Sequence, residues 1–432
     1  MQTQKSEFDP SIPLPPHHRF ATIQANRVEK EGLTLIAFRA GEYTNSDHKP
    51  AQWMTDALNS YQASAMGVYE SALPASAVKG FAQFYHAVTG TSLPANYGVI
   101  FEPGSSTSLT HVMLYLNAIG YVLAIPQSGY ASYQAIHTRI TGKEAPEYAR
   151  TFSERGVTIS ISSFPKQATA ALFNTIGNPG SDHLKNADLA SIIKKINANH
   201  PDKKAIIILD MAYQGISLPG IPDKFENLES FLKANPDLEG KVEFIQVFST
   251  SKIGGKPNAR MSAIVTTPAI TSHLSTFTQP LLLGVPEASK KAWEFLDKAT
   301  IQDQIKEYSQ ALVKRFHANY TTLVTTLKAQ LPNATLLPYE GGMFTAVDIK
   351  KEFDARASKK LGNTPSFSTQ AFVEKTIKEN VVPVDGKQAA VYFTFIPDQE
   401  GIRINLGEND ARINQLVACL DSALNVYISQ LV

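Results

Sequence analysis

The sequence predicts an α/β protein in which a mostly parallel central sheet, covered by helices, is joined to a smaller α+β domain. Short apolar runs alternate with amphipathic stretches between residues 97 and 266. This alternation is typical of buried parallel strands with helices on both faces. After residue 303 the chain becomes helical and rich in Lys and Gln, and shorter strand-like pieces follow.

The length of 432 residues is sufficient for one large core and a second, smaller unit. We place the large domain at residues 61–309. The small domain takes residues 1–60 and 310–432, and its first twenty residues are proline-rich, which predicts an extended arm.

Composition narrows the function classes. Forty Lys and Arg nearly balance 39 Asp and Glu, so no charge pattern points to nucleic acid or to an anionic membrane. A single cysteine, Cys419, excludes an internal disulfide framework and a Cys-based zinc site, and we expect no metal. No signal peptide and no long apolar run are visible. We therefore expect a cytoplasmic protein whose partner is a small molecule.

The predicted strands of the large sheet are six apolar runs. They are VIF (99–101), YVLAI (121–125), ALFNTI (171–176), AIIILD (205–210), FIQVF (244–248) and SAIVTT (262–267). Between the first two runs, apolar residues from Leu109 to Ile119 recur at helical spacing, and Gly120 lies where a C-terminal cap belongs. In the small domain we expect strands in GMFTAVDI (342–349) and GIRINLG (401–407), then a C-terminal amphipathic helix.

Polar segments follow five of the six apolar runs directly. Ligands of open parallel sheets bind outside the carboxyl ends of the strands. One crevice should therefore be lined by EPGSSTS, PQSGYASY, GNPG, MAYQG and STSKIGGKPNAR.

Lys252 lies in the last of these segments. A lysine amine can form an imine with an aldehyde when it is largely neutral, and a neighbouring cation such as Arg260 would lower its pKa. Most lysines are solvated surface residues, so only the surrounding residues make Lys252 a candidate.

An anion site is predicted at residues 104–107, Gly-Ser-Ser-Thr, which open the predicted helix. Free backbone N–H groups and the positive dipole end favour a phosphate there, although a plain Ser or Thr N-cap is the simpler alternative. Arg260, eight positions after Lys252, can reach the same anion. Imine and phosphate would then belong to one small cofactor.

Asp210 ends an apolar strand, so we expect its carboxylate at the edge of the core with a cationic partner. A protonated pyridinium nitrogen would supply that partner. Tyr213 and Asn178 are candidates to hydrogen-bond the ring oxygen, and Tyr130 to stack on the ring. Taken singly, such tyrosines are more often core aromatics, and Asn178-Pro179-Gly180 is more often a simple turn.

Two segments together match a known pattern. Residues 210–215 fit D-x-A-Y, and residues 249–260 fit S-x-S-K-x(7)-R. The chain thus resembles the fold-type-I, class I/II aminotransferases, which depend on pyridoxal 5′-phosphate, from about residue 40 to the C-terminal helix. Supporting matches are residues 178–180, residues 104–109, the pair Tyr130 and Tyr133, residues 341–344 and residues 401–404.

The resemblance implies the fold of type I pyridoxal-phosphate-dependent transferases and an activity. An amino group would move from an α-amino acid to a 2-oxo acid through an imine at Lys252 and a pyridoxamine phosphate form, with Lys252 as the base and Asp210 and Tyr213 as further catalytic residues. The implied cofactor-binding residues are Ser105, Ser106, Thr107, Tyr130, Asn178, Asp210, Tyr213, Ser249, Ser251, Lys252 and Arg260. Arg403 would bind the substrate α-carboxylate, with Asn178 and the backbone of Gly41 close by.

The resemblance also implies a homodimer with shared active sites, in which Tyr69 reaches the phosphate of the partner subunit. Two positions depart from the family pattern. Asn178-Pro179-Gly180-Ser181 stands where Asn-Pro-x-Gly is usual, and Ser262 stands where a glycine is common after Arg260. Neither change removes a functional side chain, and no second arginine aligns for a dicarboxylate substrate.

Two alternatives remain open. One is another reaction on the same cofactor, such as a β- or γ-lyase or a synthase acting on an amino acid, because these reactions share the imine and the electron sink. The other is a non-catalytic, regulatory domain that binds the cofactor. The presence of Lys252, Asp210 and Arg403 favours an enzyme, and no Walker loop, G-x-S-x-G or H-E-x-x-H motif supports other classes.

Overall fold

The computed structural model describes most of the chain. The described residues are 27, 30–38, 49–61, 74–282, 285–379, 381–384, 386–396, 399 and 401–431.

Strands in these ranges belong to two main sheets and a small hairpin. They are β1 Thr34–Phe38, β2 Gly98–Glu102, β3 Leu123–Pro126, β4 Glu147–Tyr148, β5 Arg150–Ser153, β6 Gly156–Ile159, β7 Ala170–Asn174, β8 Ala205–Met211, β9 Val242–Ser249, β10 Ser262–Thr266, β11 Thr335–Leu336, β12 Phe344–Asp348, β13 Val382–Val384, β14 Lys387–Ile396 and β15 Gly401–Asn405.

Helices connect and cover the strands. They are α1 Gln52–Asn59, α2 Ala75–Thr89, α3 Ser105–Ala118, α4 Ser132–Thr141, α5 Asn186–Asn199, α6 Leu228–Ala234, α7 Pro268–Leu282, α8 Glu287–Phe295, α9 Ile301–Gln330, α10 Lys350–Leu361, α11 Thr369–Lys378 and α12 Asp410–Ser429. Short 3-10 turns lie at Pro236–Leu238 and Pro257–Ala259.

Each of the six apolar runs contains or overlaps one strand of the large sheet, whose order is β2-β10-β9-β8-β7-β3-β4. Strands β3, β4, β7, β8 and β9 pair in parallel, whereas β10 is antiparallel to both β2 and β9. The prediction of a mostly parallel sheet is confirmed. Strand β10 returns antiparallel after a link, residues 250–261, that contains a 3-10 turn and no crossover helix of the kind that usually joins parallel strands.

Helices cover both faces of this sheet, as predicted. Every residue of β8 is buried, and alternate residues contribute to different apolar clusters. Ile206 and Ile208 pack in the cluster that includes Leu109 and Val112 of α3. Ile207 and Leu209 belong to the larger cluster, which also contains residues of α2, α5, α8 and α9.

The predicted helix after β2 is α3, and Gly120 follows its end with φ of +70°. The N–H of Tyr121 bonds the carbonyl of Leu116 at 2.9 Å, so the chain closes the helix through a left-handed glycine.

The second sheet has the order β1-β14-β15-β12-β11, with β13 paired to β14. The predicted strands GMFTAVDI and GIRINLG are β12 and β15, which pair antiparallel. The C-terminal helix α12 buries the predicted apolar positions, including Leu416 and Leu420. Strand β1 pairs in parallel with β14, so an early segment joins the C-terminal sheet. The domain limits at residues 61 and 309 stay a prediction.

In the part of the chain that the structure describes, no helix combines the length and the apolar character that crossing a bilayer requires.

Candidate active site

The polar segments after the parallel strands meet at one edge of the large sheet. In the register, Asn174 at the end of β7 pairs with Asp210 near the end of β8. Ser262 at the start of β10 pairs with both Glu102, which ends β2, and Ser249, which ends β9. The segments that carry Gly104, Asp210 and Lys252 therefore leave the sheet at the same edge.

Asp210 is buried, with 5% of its surface exposed. Its Oδ2 accepts a hydrogen bond from the Tyr133 hydroxyl at 2.6 Å, and its Oδ1 accepts one from the Ala212 N–H at 3.1 Å. Burial raises the pKa of the Asp210 carboxyl, and the bonds from Tyr133 and Ala212, together with the charge of Lys252, act against that rise. Asp210 and Lys252 thus lie within electrostatic reach of each other.

Lys252 is partly buried in the turn between β9 and β10. Its carbonyl accepts the N–H of Gly255 at 3.3 Å. Before it, the Ser249 hydroxyl donates to the Ser251 hydroxyl at 2.9 Å and accepts the Ser251 N–H at 3.2 Å. Both serines are buried, so the stem of the lysine turn is internally hydrogen-bonded.

The N-terminus of α3 lies against Arg260. Gly104 is the N-cap residue, and the structure records no side-chain cap there. A Cβ at Gly104 would overlap the guanidinium of Arg260, which shows that this side chain reaches the helix end. Ser105 and Ser106, both partly buried, occupy the first positions of the helix, where backbone N–H groups have no intrahelical acceptor. A helix start of this kind beside an arginine is able to bind an anion.

Thr107 already has acceptors within the first turn. Its N–H bonds the carbonyl of Gly104 at 3.0 Å, and its hydroxyl donates to the carbonyl of Pro103 at 3.4 Å.

A third group of residues joins the two main sheets. Asn178 donates from Nδ2 to the Tyr213 hydroxyl at 3.3 Å and accepts from Arg403 Nη1 at 3.3 Å. Asn178 follows β7, and the Asn178-Pro179 peptide bond is cis. Arg403 lies on β15 of the second sheet, so this contact spans the two sheets.

Arg403 stacks on an aromatic ring, because its Cζ lies 4.3 Å from the ring centre of Phe344. Burial lowers the pKa of its guanidinium, and nearby Tyr213, Tyr392 and Tyr130 oppose that effect. Burial raises the pKa of the Tyr213 hydroxyl, and the positive charge of Arg403 opposes that rise. The site therefore holds a partly desolvated cation, which suits a carboxylate ligand.

Tyr130 lies beside this group. Its ring meets the ring of Tyr133 edge to face, with centroids 5.4 Å apart. The predicted residues Asp210, Tyr213, Asn178, Tyr130 and Arg403 are thus gathered in one region. Gly41 and Tyr69 lie outside the described residues.

Two residues near Asp210 received no role from the sequence. Asn174 donates from Nδ2 to the Tyr133 hydroxyl at 2.6 Å and to Asp210 Oδ2 at 3.4 Å. The sequence places Tyr133 in a motif match with Tyr130 but assigns it no role. Asn174 is one of two polar residues in the run ALFNTI, and the pairing of neighbouring parallel strands would place it beside Asp210.

The donor set fits pyridoxal 5′-phosphate. A buried carboxylate suits a pyridinium nitrogen, a lysine suits an aldehyde, and a helix N-terminus beside an arginine suits a phosphate.

Comparison with known proteins gives the same assignment. Residues 34–420 match the family of class I and II aminotransferases. No curated protein sequence shows significant similarity to the chain.

Solved structures share the fold over nearly the whole length. An aminotransferase from Mycobacterium tuberculosis is 15% identical with a TM-score of 0.72, covering 98% of this chain and 100% of its own. A double mutant of the aspartate aminotransferase of Thermus thermophilus is 13% identical with a TM-score of 0.73, covering 96% of this chain and 97% of its own. Escherichia coli YbdL, described with a methionine aminotransferase function, is 16% identical with a TM-score of 0.69, covering 96% of this chain and 97% of its own.

The family match over most of the chain and the fold shared with these enzymes lead to one conclusion: the protein belongs to the class I and II aminotransferases, enzymes of fold type I that depend on pyridoxal 5′-phosphate.

Proposed function

We propose that the protein transfers an amino group from an α-amino acid to a 2-oxo acid, with Lys252 as the residue that attaches the cofactor and moves the proton. The observation that carries this proposal is the grouping of Lys252, the buried Asp210 and the Asn178–Arg403 pair at one edge of the sheet.

Four sets of residues would hold the cofactor. Asp210 would pair with the ring nitrogen, Tyr213 and Asn178 with the ring oxygen, and Tyr130 with the ring face. The phosphate would bind Arg260, the helix N-terminus at Ser105, Ser106 and Thr107, and the hydroxyls of Ser249 and Ser251. The chemistry that pyridoxal 5′-phosphate supplies when bound is an aldehyde for the amino group and a protonated ring that accepts electrons from the substrate α carbon.

Neighbouring groups oppose the effect of burial on the pKa of Asp210. Burial alone favours the neutral acid, but Tyr133 and the Ala212 N–H donate to the ionised form and Lys252 adds a positive charge. An ionised Asp210 would hold a proton on the ring nitrogen, which the reaction requires.

Lys252 would act as the general base. Its Nζ would take the proton from the substrate α carbon and return it during the reaction. The lysine turn is short and hydrogen-bonded at its stem, which restricts the positions that Nζ can reach.

Arg403 would bind the α-carboxylate of either substrate. Its stacking on Phe344 and its bond to Asn178 orient the guanidinium before the substrate arrives, so less conformational entropy is lost on binding. Gly41 would add a backbone contact to the same carboxylate.

The proposal includes a homodimer in which Tyr69 reaches the phosphate site of the partner subunit. It also includes a large domain at residues 61–309. Sedimentation of the holoenzyme should give twice the mass of the chain. Replacing Tyr69 by Phe should weaken cofactor binding and leave the dimer intact.

The test is to mix the purified holoenzyme with single amino acids and follow its visible absorbance. Transamination predicts that the visible band converts to the ultraviolet band of the amine form and that a 2-oxo acid appears in equal amount. Ammonia release without that conversion would instead support a lyase and would overturn the proposal.

A further inference from the structure

The Asn178 loop (residues 177–182) encloses a carboxylate that the proposed chemistry does not use. The side chain of Asp182 packs against the backbone on both sides of Asn178-Pro179. A Cβ at Gly177 would overlap Asp182 Oδ1, and a Cβ at Gly180 would lie 2.5 Å from it. An added Cβ at either position would displace the Asp182 carboxylate.

Arg150 neutralises this carboxylate. Its Nη2 donates to Asp182 Oδ1 at 2.7 Å and to Oδ2 at 2.8 Å. Arg150 is buried, with a side chain that is 5% exposed, and the Asp182 side chain is 16% exposed. Removal of one partner would leave a charge uncompensated in a largely buried place, which is destabilising.

Backbone hydrogen bonds also stabilise the Asn178 loop. The Gly177 N–H bonds the Asp182 carbonyl at 2.7 Å, and the Ser181 N–H bonds the Gly177 carbonyl at 3.2 Å. Ser181 adopts a φ of +55°, a left-handed conformation that a non-glycine residue rarely takes. This is the position that glycine occupies in the usual Asn-Pro-x-Gly pattern. The chain instead places its glycine one residue earlier, where Asp182 needs the space.

The loop and its ion pair also contact residues that link strands of the second sheet. The Ser181 hydroxyl donates to the Pro338 carbonyl at 3.3 Å, and Gln399 Nε2 donates to the Arg150 carbonyl at 3.0 Å. At the tip of the loop, Asn178 Oδ1 accepts from Arg403 Nη1. The ion pair, the loop and the arginine thus form one continuous chain of contacts.

We propose that the Arg150–Asp182 ion pair is a positioning element for the carboxylate site: it fixes the Asn178 loop, and the loop in turn fixes the guanidinium of Arg403. The inference rests on the proposed function, in which Arg403 binds the α-carboxylate of the amino acid and of the 2-oxo acid. Arg150 and Asp182 touch neither substrate nor cofactor in this account.

The first test uses the apoprotein and needs no turnover. Crystal structures of wild type and Asp182→Asn are compared at the contact between Asn178 Oδ1 and Arg403 Nη1. The proposal expects this distance to lengthen from 3.3 Å to beyond hydrogen-bond range in the variant. An unchanged contact would overturn it.

The second test uses steady-state kinetics of the holoenzyme. Asp182→Asn should raise KM for both substrates about tenfold, with a smaller change in kcat and unchanged cofactor content. Arg150→Lys keeps the charge, so its KM should lie between those of wild type and Arg150→Met. In an Asn178→Ala background, Asp182→Asn should have no further effect on KM, because the path to Arg403 is already cut.

The matched control is Glu352→Gln, which removes another buried carboxylate that pairs with an arginine at 2.7 Å, on α10. It should lower stability and leave KM unchanged. An unchanged KM in Asp182→Asn, or an effect that simply adds to that of Asn178→Ala, would contradict the proposal. If the wild-type enzyme reacts with no amino acid, the proposed function fails, and the apoprotein structures still decide the positioning role.

Discussion

Gly104→Ala is predicted to weaken cofactor binding by displacing Arg260 from the end of α3. Gly104 has φ of 98° and ψ of 150°, a region of backbone conformation that is essentially restricted to glycine. An added Cβ would also occupy the space of the Arg260 guanidinium. Because that guanidinium is the end of a flexible side chain, we expect it to move away rather than to unfold the helix.

The magnitudes follow from these two effects. The backbone conformation should cost about 1–3 kcal/mol of stability. Loss of the hydrogen bond between Arg260 and a phosphate should cost about 1.5–3 kcal/mol of binding. That loss corresponds to a dissociation constant about 10- to 150-fold higher.

The assay is titration of the apoprotein with pyridoxal 5′-phosphate, followed by visible absorbance, alongside titration with pyridoxal, which lacks the phosphate. Only the phosphorylated form should lose affinity. Gly120→Ala is the matched control, because Gly120 at the other end of α3 also has a positive φ but has no atom within 4 Å of an added Cβ. It should lower stability without changing affinity. Wild-type affinity in Gly104→Ala would refute the anion site, as would a normal preference for the phosphorylated form in Arg260→Ala.

Three further predictions concern other parts of the protein. Arg403→Ala should raise KM for amino acids about a hundredfold through loss of a bidentate charged pair, and it should leave cofactor content intact. An unchanged KM would contradict the role of Arg403 in binding the carboxylate. Tyr133→Phe removes the 2.6 Å hydrogen bond to Asp210, and it should lower kcat about tenfold and shift the absorbance spectrum of the bound cofactor. An identical spectrum and kcat would argue against a role for this hydrogen bond. Burial lowers the pKa of His183 to about 4, so the folded state binds its proton less readily than the unfolded state, and stability should fall as pH drops below the unfolded value near 6.5. The loss of unfolding free energy attributable to His183 should be about 2 kcal/mol by pH 5 and should level off below pH 4. His183→Gln should therefore make the unfolding free energy, measured with denaturant, less dependent on pH over this range. An equal pH slope in variant and wild type would count against this role of His183.

Much of the large sheet is predictable because its signals are local. Five of the six apolar runs, AIIILD among them, are followed directly by a polar segment, so the strand and the position of its ligand-binding end are predicted together. Asp210 and Lys252 are found for this reason. Gly120 is similarly local, since only a residue that tolerates positive φ closes the helix there.

The direction of β10 is not visible in its own composition. SAIVTT has the same apolar character as its parallel neighbours, and its antiparallel pairing with β9 is seen only in the structure. The direction of a strand depends on its connection, which the residues of the strand do not encode.

Contacts between distant segments are the part that the sequence does not reveal. Asn178 and Arg403 are 225 residues apart. Arg150 begins β5, and Asp182 lies 32 residues later in the loop after β7, with no sequence motif that connects them. The Asn-Pro-Gly-Ser departure from the family pattern has a physical reason only once Asp182 is seen against Gly180.

The most direct measurement of the central claim is borohydride reduction of the holoenzyme followed by peptide mass mapping. The reagent converts a lysine–cofactor imine into a stable secondary amine, so the modified residue identifies the attachment point. The account predicts one pyridoxyl group per chain, on Lys252, and no turnover in Lys252→Ala. A pyridoxyl group on another lysine, or near-normal turnover in that variant, would contradict it.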